Sequence, residues 1–291
     1  MSKYSEILTH PGSSHKDEFL ACCLLIAVNE APVFRREPTQ EDLDNPNMAV
    51  VDVGGEHDAS RGNFDHHQFP KDHPPTCSLS LVLMDLELYD DARKYCDWLE
   101  VAEWFDTRGP VETAAWLGVE RELLAKLNST VDLTLLRRFA GMSEIRPGEP
   151  MWEVMRWVGS DLIGYLKSLR ERLNEIARSS EIWEIDHPTG RFRVLFLPRS
   201  ENISEDASSG LARYASSLPE DQQVVAMVYP DRRGSGFALS RFNDHLGMDF
   251  TRIETEEDVH FAHVRGFVAK SSAVDLGRVR ELLAKSWKPI D

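Results

Sequence analysis

Short apolar runs alternate with longer amphipathic or apolar stretches through the first 110 residues. Residues 5–9 and 48–53 are short runs typical of strands, and 48–53 ends at a glycine pair, as a buried parallel strand does before a loop. Residues 16–29 are long enough for a helix, and further helices are predicted at 78–95 and 94–107. Strands alternating with helices predict an α/β domain with a parallel sheet.

The pattern changes twice after this region. Over residues 149–179 apolar residues recur every three or four positions, which predicts one long amphipathic helix. Beyond residue 180 the pattern predicts strands at 182–185, 191–197, 224–229 and 236–242, and helices at 206–217 and 275–287. We therefore predict an α/β chain in three parts: a parallel-sheet domain over residues 1–148, a connecting helix over 149–180, and a smaller α+β domain over 181–291.

Composition narrows the classes of function. The 291 residues are 42% hydrophobic and 28% charged, which is typical of a globular protein. No apolar run approaches the roughly 18 residues of a membrane helix, and the N-terminus lacks the apolar stretch of a secretory signal. We therefore expect a cytoplasmic protein without a membrane partner. The four cysteines show no metal-binding spacing, and Cys22 and Cys23 are expected in the core.

The balance of basic and acidic residues limits the kinds of substrate that the chain is expected to bind. With 33 basic and 49 acidic residues, the formal net charge is −16. Proteins that bind long duplexes usually carry a basic surface, which this balance does not predict. The basic pairs at 35–36, 137–138 and 232–233 are interpreted as solvated surface. A polyanionic substrate would therefore be short, or held by local positive charge such as bound metal ions.

Histidine and acidic residues gather in four places in the first half of the chain: His10 to Glu18, Asp52, Asp65 to His67, and Glu103 to Asp106. An unpaired buried carboxylate is costly, so Asp52 in an apolar strand needs a partner. It either caps the turn at Gly54 or reaches a ligand at the carboxyl end of its strand.

The four clusters together favour the second interpretation, in which Asp52 reaches a bound ligand. Mixed imidazole and carboxylate donors without thiolates suit Mn²⁺, Mg²⁺, Fe²⁺ or Zn²⁺. Two divalent ions about 4 Å apart repel by roughly 4 kcal/mol even in water. A bridging carboxylate relieves this repulsion, and Asp52 is the candidate for that role.

These motifs resemble the DHH phosphoesterase superfamily, named for the triplet found here at residues 65–67. Within it, the chain is most similar to the melanocyte-proliferating-gene group of metal-dependent hydrolases and 3′–5′ RNA exonucleases. That group carries T-H-x-G-x-x-H-x-D-E, V-D-V-G-G and F-D-H-H-Q, matched at residues 9–18, 51–55 and 64–68. Residues 261–267 resemble its C-terminal F-x-H-x-x-G-F motif. Residues 110–220 carry no recognised motif.

The resemblance implies a catalytic N-terminal domain with two divalent metal ions, Mn²⁺ being the first expectation. The ligands it implies for the first ion are His10, His15 and Asp52. Those it implies for the second ion are Asp17, Asp52, His66 and Asp106. Asp52 would bridge the ions, and His67 would face the substrate phosphate or the leaving oxygen as a proton donor.

The resemblance also implies that the C-terminal domain binds the rest of the substrate, with His263 and either Arg241 or Arg265 in contact with it and Gly266 in the same motif. A guanidinium group suits phosphate oxygens. Arg108 is counted with these residues, although the group usually has Asn-Gly where this chain has Thr107-Arg108. Such departures affect the choice of substrate more than hydrolysis.

The leading functional hypothesis is a metal-dependent phosphodiesterase that hydrolyses short RNA or DNA from the 3′ end through a two-metal hydroxide mechanism. One alternative is a phosphatase or pyrophosphatase of a small nucleotide, cyclic dinucleotide or polyphosphate, which the acidic balance mildly favours. A hypothesis of a different class is that the chain is a catalytically silent, metal-binding regulatory protein. Whether the chain forms a homodimer is left open.

Overall fold

The computed structural model of the chain describes residues 3–200 and 207–288. The chain divides into two compact units, Met1–Ser168 and Leu169–Asp291. Each unit carries one six-stranded sheet. The predicted α/β class is confirmed. The assignment of catalysis to residues 1–148, connection to 149–180 and substrate binding to 181–291 stays a prediction.

The first unit contains six strands: β1 (Glu6–Thr9), β2 (Val33–Arg35), β3 (Met48–Val51), β4 (His57–Asp58), β5 (Asn63–Phe64) and β6 (Glu144–Ile145). Its helices are α1 (Lys16–Asn29), α2 (Gln40–Asp44), α3 (Ser78–Asp85), α4 (Tyr89–Tyr95), α5 (Asp97–Leu117), α6 (Arg121–Lys126) and α7 (Thr130–Ala140). A further helix, α8 (Pro150–Ser179), begins in this unit and runs past its boundary.

The sheet of the first unit has the order β4-β5-β3-β1-β2-β6. Its four central strands are parallel, while β4 and β6 pair antiparallel at the two edges. Strand β3 is buried along its whole length, and α1 is apolar on nearly every side and packs against α3. A helix that is apolar all round is expected in a core rather than at a surface.

Strands β5, β3 and β1 are neighbours, and all three run in the same direction. The loops that follow them therefore leave the sheet at the same edge, and each of these loops carries one of the His/Asp motifs. Ligand sites of open parallel sheets lie at this carboxyl edge. The topology thus brings together three motifs that are far apart in sequence.

The second unit contains β7 (Glu181–His187), β8 (Gly190–Phe196), β9 (Ala226–Pro230), β10 (Phe237–Arg241), β11 (Val259–Ala262) and β12 (Val268–Ser271), with helices α9 (Leu211–Ser216) and α10 (Leu276–Ser286). Its order is β11-β12-β10-β9-β8-β7, and among the described strands of this second sheet only β8 and β9 pair parallel. Aromatic and aliphatic side chains from this sheet and α10 form its core.

Several predicted boundaries change in the structure. The predicted helix 78–95 is two helices, because Glu87 takes a left-handed φ of 57° between α3 and α4. The predicted helix 94–107 begins at Asp97 and continues to Leu117, with a break at Gly109, where φ is 74°. The predicted helix 206–217 is Leu211–Ser216, and Asp206 lies outside the described residues.

Among the described residues, every helix is too short or too polar to cross a membrane.

Candidate functional site

Seven side chains at the carboxyl edge of the first sheet form two overlapping groups of potential metal ligands, and a third group, Asp52, Asp65, His66 and His67, overlaps them. One group is His10, His15, Glu18 and Asp52. The other is Asp17, Asp52, His66 and Asp106. Within each group one ligand atom per residue lies within 4.8 Å of every other. The structure therefore brings together all six metal ligands expected from the sequence, and adds Glu18.

Asp52 is common to both groups. It follows β3 directly, is buried, and has a left-handed φ of 60°, a conformation that aspartate and asparagine tolerate better than most residues. Its Oδ1 accepts a hydrogen bond from Ser78 Oγ at 2.9 Å and lies 3.1 Å from His66 Nε2, whereas Oδ2 lies 3.6 Å from His10 Nε2. The two oxygens thus face different histidines, as a bridging carboxylate requires.

The second group is rich in negative charge. Burial first, and then the carboxylates of Asp52 and Asp106, raise the pKa of Asp17 well above its usual value. His66 Nε2 lies 2.9 Å from Asp106 Oδ2. Burial lowers the pKa of His66, but the carboxylates of Asp106 and Asp52 outweigh it and raise this pKa to about 10. Three close carboxylates therefore favour positive charge at this position, on a protonated His66 or on a bound cation.

Buried polar atoms without a hydrogen bond gather at this centre. Among the described residues they include both carboxylate oxygens of Asp17, whereas Oε2 of Glu18, Nε2 of His66 and Oδ2 of Asp106 form ion pairs with other candidate ligands but no aligned hydrogen bond. Buried polar atoms are nearly always hydrogen-bonded, so a cluster of exceptions needs an explanation. Divalent cations bound at the centre would coordinate these atoms and balance the carboxylates. The donor set therefore fits metal ions of the kind expected from the sequence.

Asp65 has a different role from the other carboxylates. Its Oδ1 accepts hydrogen bonds from His67 Nδ1 at 2.6 Å and from the His67 backbone N–H, and its Oδ2 accepts from Gly55 N–H. Burial raises the pKa of Asp65, but these hydrogen bonds outweigh it and bring the pKa down to about 2. Asp65 therefore orients His67, whose side chain is 63% exposed.

Three residues at the site were missed by the sequence reasoning as functional positions: Glu18, Ser78 and Arg35. Glu18 was quoted within the first motif without a role. Ser78 begins α3 and has no sequence signal that distinguishes it. Arg35 was interpreted as solvated surface, and this was wrong. It is 4% exposed and donates to Glu18, because its strand β2 lies beside β1 in the sheet core.

The expected substrate-binding residues lie in two places. Arg108 is in α5 of the first unit and donates to the backbone carbonyl of His73 at 2.6 Å. The others are in the second unit at the ends of β10 to β12, where Arg241 donates its backbone N–H to Phe267. These residues are Arg241, His263, Arg265 and Gly266.

The turn that holds three of these residues has a defined geometry. Gly266 has a left-handed φ of 67° and donates its N–H to the His263 carbonyl, and a Cβ there would overlap the Asp249 carboxylate. His263 Nδ1 accepts from the Arg265 N–H at 3.1 Å. The turn therefore requires glycine at position 266 for steric and conformational reasons, whatever its role toward substrate.

The fold and site define a class: an α/β chain with a histidine–carboxylate centre, at the carboxyl edge of a parallel sheet, that could hold metal ions. Residues 6–79 match the sequence model of the family described as MYG1_exonuc, uncharacterised protein family (UPF0160). This match confirms the predicted likeness to the melanocyte-proliferating-gene group over the region that contains every expected metal ligand except Asp106.

Individual relatives agree with this match. The chain is 44% identical over 64 residues to MYG1 exonuclease from Bos taurus and, to the same extent, to that from Homo sapiens. MYG1 exonuclease from Rattus norvegicus is 42% identical over 64 residues. Each match spans 21% of this chain and 16% of the relative, so the activity of the whole relatives is not carried over by similarity alone.

One solved structure was also found. It is the pGpG-specific phosphodiesterase PggH from Vibrio cholerae, which aligns over 97% of this chain and 98% of its own, with 13% identity and a TM-score of 0.31. A TM-score this low does not establish a shared fold.

Proposed function

We propose that the chain is a metal-dependent phosphodiesterase that hydrolyses short RNA or DNA from the 3′ end. The observation that carries this proposal is that two groups of potential metal ligands share one buried carboxylate, Asp52. A pair of divalent ions, with Mn²⁺ as first choice, would activate water and neutralise the charge that develops on a phosphate during in-line displacement. The name exonuclease of the relatives supports the same class of reaction.

The proposed ligands form two sets, one for each ion. His10, His15 and Asp52 would hold the first ion, and Asp17, Asp52, His66 and Asp106 the second. Ser78 Oγ donates to Asp52 Oδ1 and thereby orients the carboxylate that both ions would share. Outer partners of this kind orient the ligands of a metal, and their loss typically weakens metal binding or activity by about 10- to 100-fold.

His67 would supply a proton to the leaving oxygen. Asp65 accepts a hydrogen bond from Nδ1 of His67 and raises the pKa of His67, so the imidazole retains a proton at Nε2 more readily. The exposed ring can approach a phosphate, which a ring coordinated on both sides could not do. His67 is thereby a candidate for both catalysis and substrate binding.

The remaining substrate contacts are proposed for Arg108 in the first unit, and for a group in the second unit that comprises Arg241, His263, Arg265 and Gly266. Arg241 is largely buried, and its guanidinium forms an ion pair at 2.9 Å with the exposed Asp244. The planar set of donors of a guanidinium group suits phosphate recognition. This contribution of the second unit rests on the motif and not on a contact with the metal centre.

A second candidate function is favoured by the net charge of −16. A phosphatase or pyrophosphatase acting on a small nucleotide, cyclic dinucleotide or polyphosphate would need no extended basic surface. The same centre would serve that reaction. A catalytically silent, metal-binding regulatory role is the alternative from another class.

The decisive experiment is hydrolysis of a 5′-labelled RNA pentamer with saturating Mn²⁺ by the wild type and by Asp52→Asn. Asparagine tolerates the left-handed backbone of position 52, so the variant removes the charge without backbone strain. We expect stepwise shortening by the wild type and a loss of at least about 100-fold in the variant, the order of effect of one electrostatic stabiliser. Asp44→Asn, on an exposed helix, is the matched control.

Each outcome separates the hypotheses. Release of inorganic phosphate without shortening would favour the small-substrate phosphatase. Metal binding without turnover of any phosphoester would favour the regulatory role. Full activity of Asp52→Asn would rule out Asp52 as the bridging ligand.

A further inference from the structure

We propose that Glu18 is a fourth ligand of the first metal ion and that Arg35 holds it in position, an inference that rests on the proposed metal centre. Glu18 is completely buried and lies in the same group as His10, His15 and Asp52. The family motif includes this glutamate, but the ligand set implied by the resemblance does not.

Helix geometry directs the side chains of Glu18 and Asp17 toward the sites of two different proposed ions. Both residues are in the first turn of α1, and successive residues of an α-helix project about 100° apart. Asp17 accordingly joins the group with His66 and Asp106, whereas Glu18 joins the group with His10 and His15. Two consecutive carboxylates therefore serve two neighbouring sites from one rigid element.

The two oxygens of Glu18 have unlike surroundings. Oε1 accepts a hydrogen bond from Arg35 Nη2 at 3.0 Å. Oε2 forms a close ion pair with His10 Nε2 and has no other polar partner among the described residues. His10 uses its other nitrogen, Nδ1, against the Pro11 carbonyl at 2.8 Å. One carboxylate oxygen and one imidazole nitrogen are thus directed at the same point, as two ligands of one ion would be.

Arg35 connects Glu18 to the loop that carries the histidines. Its Nη2 also donates to the Ser13 carbonyl at 3.0 Å, and its Nη1 donates to the carbonyls of Gly12 and Phe139. The guanidinium lies over the Phe139 ring, 4.5 Å from its centroid. A single buried cation therefore fixes both the glutamate and the loop between His10 and His15.

The charge balance permits a fourth carboxylate. Two divalent ions carry four positive charges, and Asp17, Glu18, Asp52 and Asp106 carry four negative charges. Arg35 then leaves one positive charge in excess at the centre, which favours an incoming phosphate. Glu18 directs Oε1 at Arg35 and Oε2 at His10, a candidate ligand of the first ion, as a carboxylate shared between an arginine and a metal ion would.

The test is titration of the metal-free chain with Mn²⁺ by calorimetry, comparing the wild type with Glu18→Gln. We expect two ions per wild-type chain. In Glu18→Gln we expect one site to weaken at least tenfold while the other is unchanged. Glu103→Gln is the matched control, because Glu103 is also buried and paired with an arginine, Arg93, but belongs to neither ligand group. It should bind two ions as the wild type does.

The outcomes distinguish this inference from the proposed function. If the wild type binds two ions and Glu18→Gln binds them with unchanged affinity, Glu18 is not a ligand and the two-metal centre stands. If the wild type binds no ion, the centre itself fails. Should Glu18→Gln not fold, Glu18→Asp keeps the charge but shortens the side chain, and unchanged affinity at both sites in that variant would also contradict the inference.

Discussion

Asp231 is a buried carboxylate of the second unit whose stability contribution depends on its charge. Its Oδ1 accepts from Lys270 Nζ at 2.9 Å, and His260 Nε2 lies 3.4 Å from its Oδ2. Burial raises the pKa of Asp231, but the hydrogen bond from Lys270 and the other nearby donors outweigh it and lower this pKa below its usual value. The charged carboxylate therefore stabilises the folded unit above the unfolded pKa, and this stability is lost as pH falls through the lowered folded pKa.

We predict that Asp231→Asn lowers the stability of the second unit at neutral pH by about 1–3 kcal/mol. The difference from the wild type should shrink as pH falls below about 4, the ordinary pKa of aspartate, because the wild type then loses the same charge. Thermal unfolding of both proteins at neutral and at acidic pH measures the stability difference and its change with pH. Asp186→Asn, whose side chain is 81% exposed, is the control. A difference that does not change with pH would contradict the role of charge.

At the residue scale, the candidate ligands could be selected from the sequence because they occur in compact motifs. The expected ligands within residues 10–66 all reach the centre, and so does Asp106 from α5. Glu103 and Asp106 lie one turn apart, yet Glu103 accepts from Ser80, Tyr89 and Arg93 instead. Such partners are fixed by packing between elements, and a sequence pattern does not specify them. The burial of Arg35 was unpredictable for the same reason.

At the scale of the element, α8 packs closely on α1 through a glycine. A Cβ on Gly159 would lie 2.0 Å from the Cys23 carbonyl oxygen, so the two backbones are too near for any side chain. At Gly164, five residues further along the same helix, an added Cβ would meet no atom of another described part of the chain within 4 Å. The two glycines therefore share helical geometry and differ only in packing.

We predict opposite effects of alanine at these positions. Gly164→Ala should stabilise the chain by about 0.5–1 kcal/mol, because alanine has the higher helix propensity. Gly159→Ala should destabilise it by about 1–3 kcal/mol, because overpacking outweighs the same gain in propensity. Urea unfolding measures the two free energies. Stabilisation by Gly159→Ala would show that α8 can move away from α1 at little cost.

Elements were predictable where they were long or strongly apolar. The predicted helices 16–29 and 149–179 are α1 and α8, and the strand runs in the second half correspond to β7 to β10. The strands that were not predicted, β2, β4, β5, β6, β11 and β12, have two to four residues each. Strands this short contain too few residues to show an alternating pattern, and unlike β1 and β3, which are equally short, they do not stand out as apolar runs before a motif. They form because a neighbouring strand offers hydrogen bonds.

At the scale of the whole molecule, the charge balance restricts how substrate is held. The chain carries a net charge of −16, so a nucleic acid lying along its surface would be repelled rather than attracted. Positive charge is instead expected at the proposed metal centre and at a few arginines. Phosphate contacts would then be confined to one or two groups next to the scissile bond, and additional nucleotides would add little affinity.

We therefore predict that kcat/KM does not rise with substrate length from a dinucleotide to an oligomer of about 20 nucleotides. Because each neutralised phosphate of a single strand contributes about −0.7 to the slope of log affinity against log salt, the slope should be no steeper than about −1.4. Steady-state rates over a series of lengths and salt concentrations test both statements, and kcat for the dinucleotide at saturation separates salt effects on catalysis from those on association. If kcat/KM rises with substrate length and the salt slope is steeper than about −1.4, the surface must carry a row of basic residues despite the negative net charge. Long RNA, rather than short RNA ends, would then be the expected natural substrate.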